Sequence, residues 1–215
     1  MSVVELHLVD TATAMAETEL LDEAERRQCE TIGHPLDRHR FAVAHAAVRR
    51  VVADRLAVPP AAVCWTYGPN GKPELADAVL RVNLSHSGGL VLVAVSPDRA
   101  VGVDLQQVLP SLDVAAMAAR FFPLGEAALV ARSGDRGPER FAALWARKEA
   151  VVKAAGDRLT RGLRLPVAGG AFQVVEHDGT RYAVADIVAP PGFRAAVALA
   201  GPQPFRVDPE TLTRR

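Results

Sequence analysis

Two helical stripes, each set between strands, constrain the fold of this chain more than any other feature. Residues 36–57 place Phe41, Ala44, Val48, Val51, Val52 and Leu56 on one side of a helix whose other side is rich in arginine. Residues 138–155 form a second helix, opened near Pro138, whose missing N–H is harmless at a helix start, and closed by Gly156. Val3–Val9 reads as a strand before a first helix over Glu17–Ile32, which Gly33 and Pro35 stop. Strands are expected at Val63–Tyr67, at Leu80–Ser85 and at Leu90–Ser96, the last two joined through His86-Ser87-Gly88-Gly89.

Past the turn Pro97-Asp98-Arg99 the order recurs. Ala100–Gln106 reads as a buried strand, helices follow at Leu112–Phe121, Pro123–Ala131 and 138–155, and strands at Phe172–Glu176, Tyr182–Ile187 and Phe193–Leu199 close the series. The repeat lies in element order, with no matching repeat of sequence. The expectation is an α+β fold of two small subdomains, 1–98 and 99–215, with a ligand cleft between them.

With 215 residues, 49% of them apolar, the chain can bury a sizeable core. Lys plus Arg number 25 and Asp plus Glu number 25, so no global field gathers nucleic acid or anionic membrane, and a polyanionic ligand must meet a local cluster. Cys29 and Cys64 form neither a disulfide framework nor a zinc spacing and are expected as buried thiols. The first ten residues lack the pattern of a secretory signal and the longest apolar run is strand-sized, so a cytoplasmic location is expected.

Two segments carry chemistry. Asp104 sits in the apolar run Val101-Gly102-Val103-Asp104-Leu105, where an ionised carboxylate is expensive unless it is paired or binds a metal, and Gly102 admits a second backbone or a ligand. Trp145, Glu149, Val152 and Lys153 share a helical face. Taken singly, Asp104 reads first as a strand end facing solvent, and Glu149 with Lys153 as an exposed helix pair. Trp145 on the same stripe implies partial burial, which makes that pair a candidate for proton transfer or metal binding.

Together these segments resemble the 4′-phosphopantetheinyl transferase superfamily. Gly102-Val103-Asp104 and the run from Trp145 to Lys153 fit its two motifs, and three pieces match its larger, Sfp-like branch in order: an arginine-bearing helix around Arg40, Gly71-Lys72-Pro73, and Asn83-Leu84-Ser85-His86-Ser87. The resemblance implies a pseudo-two-fold duplicated fold and a monomer. It also implies a magnesium-dependent enzyme that moves the 4′-phosphopantetheine arm of coenzyme A to a serine of an apo acyl or peptidyl carrier protein, releasing 3′,5′-ADP. It assigns Asp104, Gln106 and Glu149 to magnesium, and Arg40, Lys72, Ser85, His86 and Lys153 to coenzyme A. Glu149, Lys153 and His86 are its catalytic group. A lysine beside Glu149 makes a poor base, which favours Glu149, directly or through a water, with Lys153 as electrostatic partner.

Two positions depart from the family pattern. Gln106 stands where a second acid is usual and brings an amide carbonyl without charge. Glu25 and Gln28 stand where lysines often meet the 3′-phosphate, with Arg26 and Arg27 between them pointing elsewhere on the helix. The competing readings are a coenzyme A or nucleotide-binding module with a decayed metal site, another magnesium-dependent phosphotransferase, and a structural interaction protein. No P-loop or kinase-type glycine loop supports the second. For the carrier, a patch at Met117, Phe121 and Phe122, just after the metal motif, is the expected contact, and secondary metabolism the expected setting.

Overall fold

A computed structural model describes residues 1–76 and 79–208. β1 (Ser2–Asp10) leads to α1 (Glu23–Thr31) and α2 (Pro35–Leu56), then β2 (Trp65–Tyr67), β3 (Pro73–Leu75), β4 (Arg81–Ser87) and β5 (Leu90–Ser96). The second series is β6 (Val101–Gln107), α3 (Val114–Phe121), α4 (Leu124–Ala131), α5 (Gly137–Ala155), α6 (Leu159–Gly162), β7 (Phe172–His177), β8 (Thr180–Ile187), β9 (Phe193–Ala200) and β10 (Phe205–Val207). The fold is mixed α and β. No helix among the described residues is long and apolar enough to cross a membrane.

The expected first helix over Glu17–Ile32 is shorter, because Leu21 is extended and Asp22 starts a new helix. The Asp22 carboxylate accepts the Glu25 N–H while the Glu25 carboxylate accepts the Asp22 N–H, a reciprocal cap. α2 and α5 lie where their apolar spacing put them, and Gly156, with φ of 67°, ends α5 in the left-handed conformation that favours glycine.

Four strands form a sheet in the order β10-β1-β5-β4 and four another in the order β6-β9-β8-β7, with β2 and β3 as a separate ribbon. Within them β1-β5-β4 and β6-β9-β8 share one antiparallel pattern, in which the opening strand of a series pairs with its last long strand. β10 departs from it by running parallel to β1, which returns the chain's end to the first sheet.

One apolar layer unites the two sheets. Val4, Leu6, Leu8, Leu92 and Ala94 pack with Val101, Val103, Leu105, Val197 and Leu199. Leu6, Leu92 and Leu105 are almost fully buried, each worth about 1.5–3 kcal/mol against exposure. The odd-numbered side chains of β6 enter this layer, so the alternation of a strand turns Gly102, Asp104 and Gln106 to its opposite face.

β4 and β6 meet at a seam of side chains. The N–H groups of Val103, Leu105 and Gln107 donate to Asn83 Oδ1 (2.9 Å), Ser85 Oγ (3.1 Å) and Ser87 Oγ (3.0 Å). Three alternate polar residues of β4 thus satisfy the edge of β6 that β9 leaves open.

Two expectations are corrected. Cys64 is exposed, on the turn into β2, whereas Cys29 is buried under α2. Phe122 is fully buried and stacked on Phe141 at 5.0 Å between ring centres, so it belongs to the core beneath α5 and offers no surface to a carrier.

Candidate active site

Gly102 sets the geometry of the site. A Cβ there would stand 2.1 Å from the Ala150 carbonyl oxygen and 2.2 Å from the Ala154 nitrogen, so only glycine lets the backbone of α5 lie directly on β6. This contact carries Glu149 and Lys153 to Asp104, two residues along the same face of the strand.

Asp104 is 3% exposed. Its Oδ1 accepts from Lys153 Nζ at 2.6 Å and from Ser85 Oγ at 2.8 Å, while Oδ2 is buried with no hydrogen-bond partner. Burial pushes the Asp104 carboxyl up to about 6, with Lys153 opposing the rise and Glu149 adding to it. Lys153 also donates to Ser85 Oγ at 3.0 Å and lies 3.5 Å from Glu149 Oε2. The other oxygen of Glu149 accepts from the Trp145 indole N–H at 2.7 Å. Trp145, noted in the sequence as a mark of burial, therefore fixes the carboxylate directly.

These groups open on a cleft of about 720 Å³ walled by α1, α2, β4, β6 and α5, with Arg40, His45, His86, Gln106 and Gln28 on its lining. Gln106 sits one strand repeat beyond Asp104, its amide nitrogen on the Gln107 carbonyl at 3.2 Å. His86, at the end of β4, reaches solvent, yet burial lowers its affinity for a proton and the positive charges of Lys153, His45 and Arg40 lower it further. Arg40 has its Nε buried without a partner and a long contact of 3.4 Å to Asp37.

Not every residue expected here reaches the cleft with a free group. Ser85 is present, but its one proton goes to Asp104 and its lone pairs accept from Leu105 and Lys153. Lys72 lies outside the cleft, where Nζ donates to the carbonyls of Val101 (3.1 Å) and Ala154 (3.2 Å). Arg26 turns back to the Leu21 carbonyl and Arg27 to Glu23, as their place on the helix suggested.

The neighbouring lysine of α5 has a different task. Lys148 is fully buried, paired with Glu126 at 2.5 Å and bonded to the Leu165 carbonyl, while Glu126 accepts from Val167 and Ala168. The two lysines look alike in sequence, and nothing local to α5 foretells that one is an internal brace.

The donor set fits a hard divalent cation: an orphaned carboxylate oxygen on Asp104, a carboxylate on Glu149 and an amide carbonyl on Gln106, all oxygen. Among the described residues no group of three or more His, Cys, Asp or Glu is placed to hold a metal, and at position 106 the side chain is an amide.

Residues 100–201 match the model of the 4′-phosphopantetheinyl transferase superfamily. The 4′-phosphopantetheinyl transferase HetI of Nostoc is 32% identical over 173 residues, 78% of this chain and 73% of that protein. The chain belongs to the 4′-phosphopantetheinyl transferase superfamily. The 4′-phosphopantetheinyl transferase Sfp of Bacillus subtilis is 28% identical over 191 residues, 82% of this chain and 81% of Sfp. Over 148 residues the Synechocystis protein slr0495 is 37% identical, a match that spans 67% of this chain and 60% of that relative. Asp104, Gln106, Glu149 and Lys153 lie inside the stretch matched by the superfamily model, and Arg40, Lys72, Ser85 and His86 lie before it.

Proposed function

We propose that the protein is a magnesium-dependent holo-[carrier protein] synthase, which transfers the 4′-phosphopantetheine arm of coenzyme A to a serine of an apo acyl or peptidyl carrier protein and releases 3′,5′-ADP. The observation that carries this reading is the buried Asp104, with one oxygen orphaned and the other on Lys153, at the floor of a cleft that also holds Glu149. A carboxylate kept in so costly a setting is a candidate ligand or reacting group. The matched order of strands on the two sides of the cleft supports the pseudo-two-fold reading, with the division near residue 98.

Asp104 Oδ2, Glu149 and the Gln106 carbonyl would hold Mg²⁺, which supplies charge neutralisation on the pyrophosphate oxygens. The chain's residues do the rest. In the transfer, the serine Oγ–P bond forms as the P–O bond to 3′,5′-ADP breaks, and the serine proton passes to Glu149, directly or across a water. The Trp145 N–H holds Glu149 in one orientation for that step. Lys153 acts as a donor, since it donates to the oxygens of Ser85 and Asp104 and lies beside the Glu149 carboxylate, and places positive charge beside the phosphoryl group. His86 and Arg40 meet phosphate oxygens from the opposite wall. Lys72 supports the site from behind by tying the end of α5 to the start of β6. The expected setting is a cytoplasmic monomer.

The test is to incubate the protein with coenzyme A, Mg²⁺ and several apo carriers and to weigh each carrier. A gain of one phosphopantetheine is expected, and absence of any gain on all of them sinks the reading. Gln106, an amide where a third carboxylate would complete the site, favours a second reading, a coenzyme A-binding module that no longer transfers. That reading expects bound coenzyme A with no mass gain. Under the first, Gln106→Glu lowers the Mg²⁺ concentration for half-maximal activity, and an unchanged or weaker dependence removes residue 106 from the ligand set.

A further inference from the structure

Ser85 is buried, 4% exposed, where β4 meets the floor of the cleft. Its hydroxyl has a full set of partners. Oγ accepts from the Leu105 N–H at 3.1 Å and from Lys153 Nζ at 3.0 Å, and its proton goes to Asp104 Oδ1 at 2.8 Å. A hydroxyl offers one proton and two acceptor sites, so these three partners leave it a single orientation. The Leu105 N–H follows Asp104 directly in the chain, and the hydroxyl is therefore tied to the carboxylate and to the backbone that carries it.

The consequence falls on the carboxylate. Oδ1 takes both donors, the Ser85 hydroxyl and the Lys153 ammonium at 2.6 Å, while Oδ2 is buried and has none. Lys153 alone does not make this choice, since its ammonium rides on a flexible stem, 27% exposed, that can meet either oxygen. Ser85 stands on a strand with a short side chain and cannot follow a turning carboxylate. A carboxylate held in this way leaves always the same oxygen for a hard cation.

We infer that Ser85 is a positioning residue, which pins Asp104 Oδ1 so that Oδ2 is the oxygen offered to a divalent cation. This rests on the magnesium reading above, and it departs from the family resemblance, which assigns Ser85 to coenzyme A itself. A hydroxyl whose proton and lone pairs are all engaged has nothing left for a phosphate oxygen. Asn83 and Ser87 accept from Val103 and Gln107 in the same seam, yet among the described residues neither bonds a carboxylate. The bond to Asp104 is what sets Ser85 apart.

The experiment measures the equilibrium binding of coenzyme A in EDTA and in saturating Mg²⁺ and reads the ratio of the two dissociation constants, the tightening due to the metal. Ser85→Ala is expected to cut that tightening about tenfold or more, the scale on which lost support of a metal ligand shows, and to leave binding in EDTA unchanged. Ser85→Cys, which fills the same space with a weak donor, should fall in the same direction, and Ser85→Thr, which keeps the hydroxyl, should restore the wild-type ratio. Ser87→Ala removes an equivalent seam bond and is expected to keep the ratio as it is. Weakened binding of Ser85→Ala in EDTA would make Ser85 a direct contact of coenzyme A and overturn the proposal. An unchanged ratio in both Ser85→Ala and Ser85→Cys overturns it too, as does a fall in Ser87→Ala that matches Ser85→Ala. Wild-type protein that binds coenzyme A equally in EDTA and in Mg²⁺ overturns the magnesium reading and the proposal with it.

Discussion

A single hydrogen atom in place of a side chain at Gly102 decides whether the site can assemble. Gly102→Ala would drive a Cβ into the Ala150 carbonyl and the Ala154 nitrogen, and neither is a flexible chain end that could yield. The helix must lift or tilt, so the loss exceeds the usual 1–3 kcal/mol of overpacking, on the order of 3 kcal/mol or more. A fall in the urea midpoint together with lost transfer activity is the expected result, and a variant of wild-type stability would show that α5 does not rest on β6. Asp104 shows the converse, a residue that weakens the fold. Its folded-state pKa of about 6 exceeds the ordinary 3.8, so the native protein binds the extra proton between those values. Its favourable contribution is complete below pH about 4 and lost as pH rises through about 6. Asp104→Asn, measured by urea unfolding with divalent ions chelated, should gain on wild type between pH 4 and 7 by roughly 2–3 kcal/mol while transfer is abolished. A stability difference independent of pH would mean that Asp104 is not buried as a charge.

At the scale of elements, long patterns were readable and short pairings were not. α2, α5 and the β4–β5 hairpin announce themselves through many residues of periodic spacing and glycine turns, and each lies within a residue or two of its expected bounds. β3 and β10, three residues each, carry no period, and each exists because another strand offers an edge: β2, across a short turn, for Pro73–Leu75, and distant β1 for Phe205–Val207. The site followed the same division. Asp104, Glu149 and Lys153 were visible as motif residues and the structure brings them together, whereas the contact of His45 with Glu25 joins positions twenty residues apart on separate helices. Phe122 fell between the two cases. Next to Pro123 and among alanines, it reads equally as surface or core, and only the approach of Phe141 and Trp145 from α5 decides. The consequence can be measured as stability: Phe122→Ala should cost about 3–5 kcal/mol, since a fully buried ring leaves a cavity beneath α5. A loss below 1 kcal/mol would return Phe122 to the surface.

Across the whole molecule, the site depends on how two sheets are held at β4 and β6, and the seam there is polar where most of the core is apolar. Asn83, Ser85 and Ser87 bind the β6 edge from one side, and Lys72 closes its upper end by donating to Val101 and Ala154 at once. That position has an electrostatic cost. Burial lowers the Lys72 ammonium to about 8, with Glu74 opposing the shift and Arg81 adding to it. The unfolded chain, with an ordinary value near 10.5, then binds more protons than the native protein between pH 8 and 10.5. Stability must rise with pH across that window, because the penalty of the buried charge is complete below about 8 and relieved above it. The neutral amine retains two N–H donors for the same two carbonyls, so deprotonation need not open the seam. Lys72→Met separates this effect from the tyrosines that ionise nearby in pH. Between pH 8 and 10.5 wild type should gain on the variant by about 2 kcal/mol, a figure reduced for partial solvent screening, as read from urea midpoints at both ends of the range. Parallel curves for the two proteins would place the Lys72 ammonium in solvent and leave the junction of α5 with β6 to Gly102 alone.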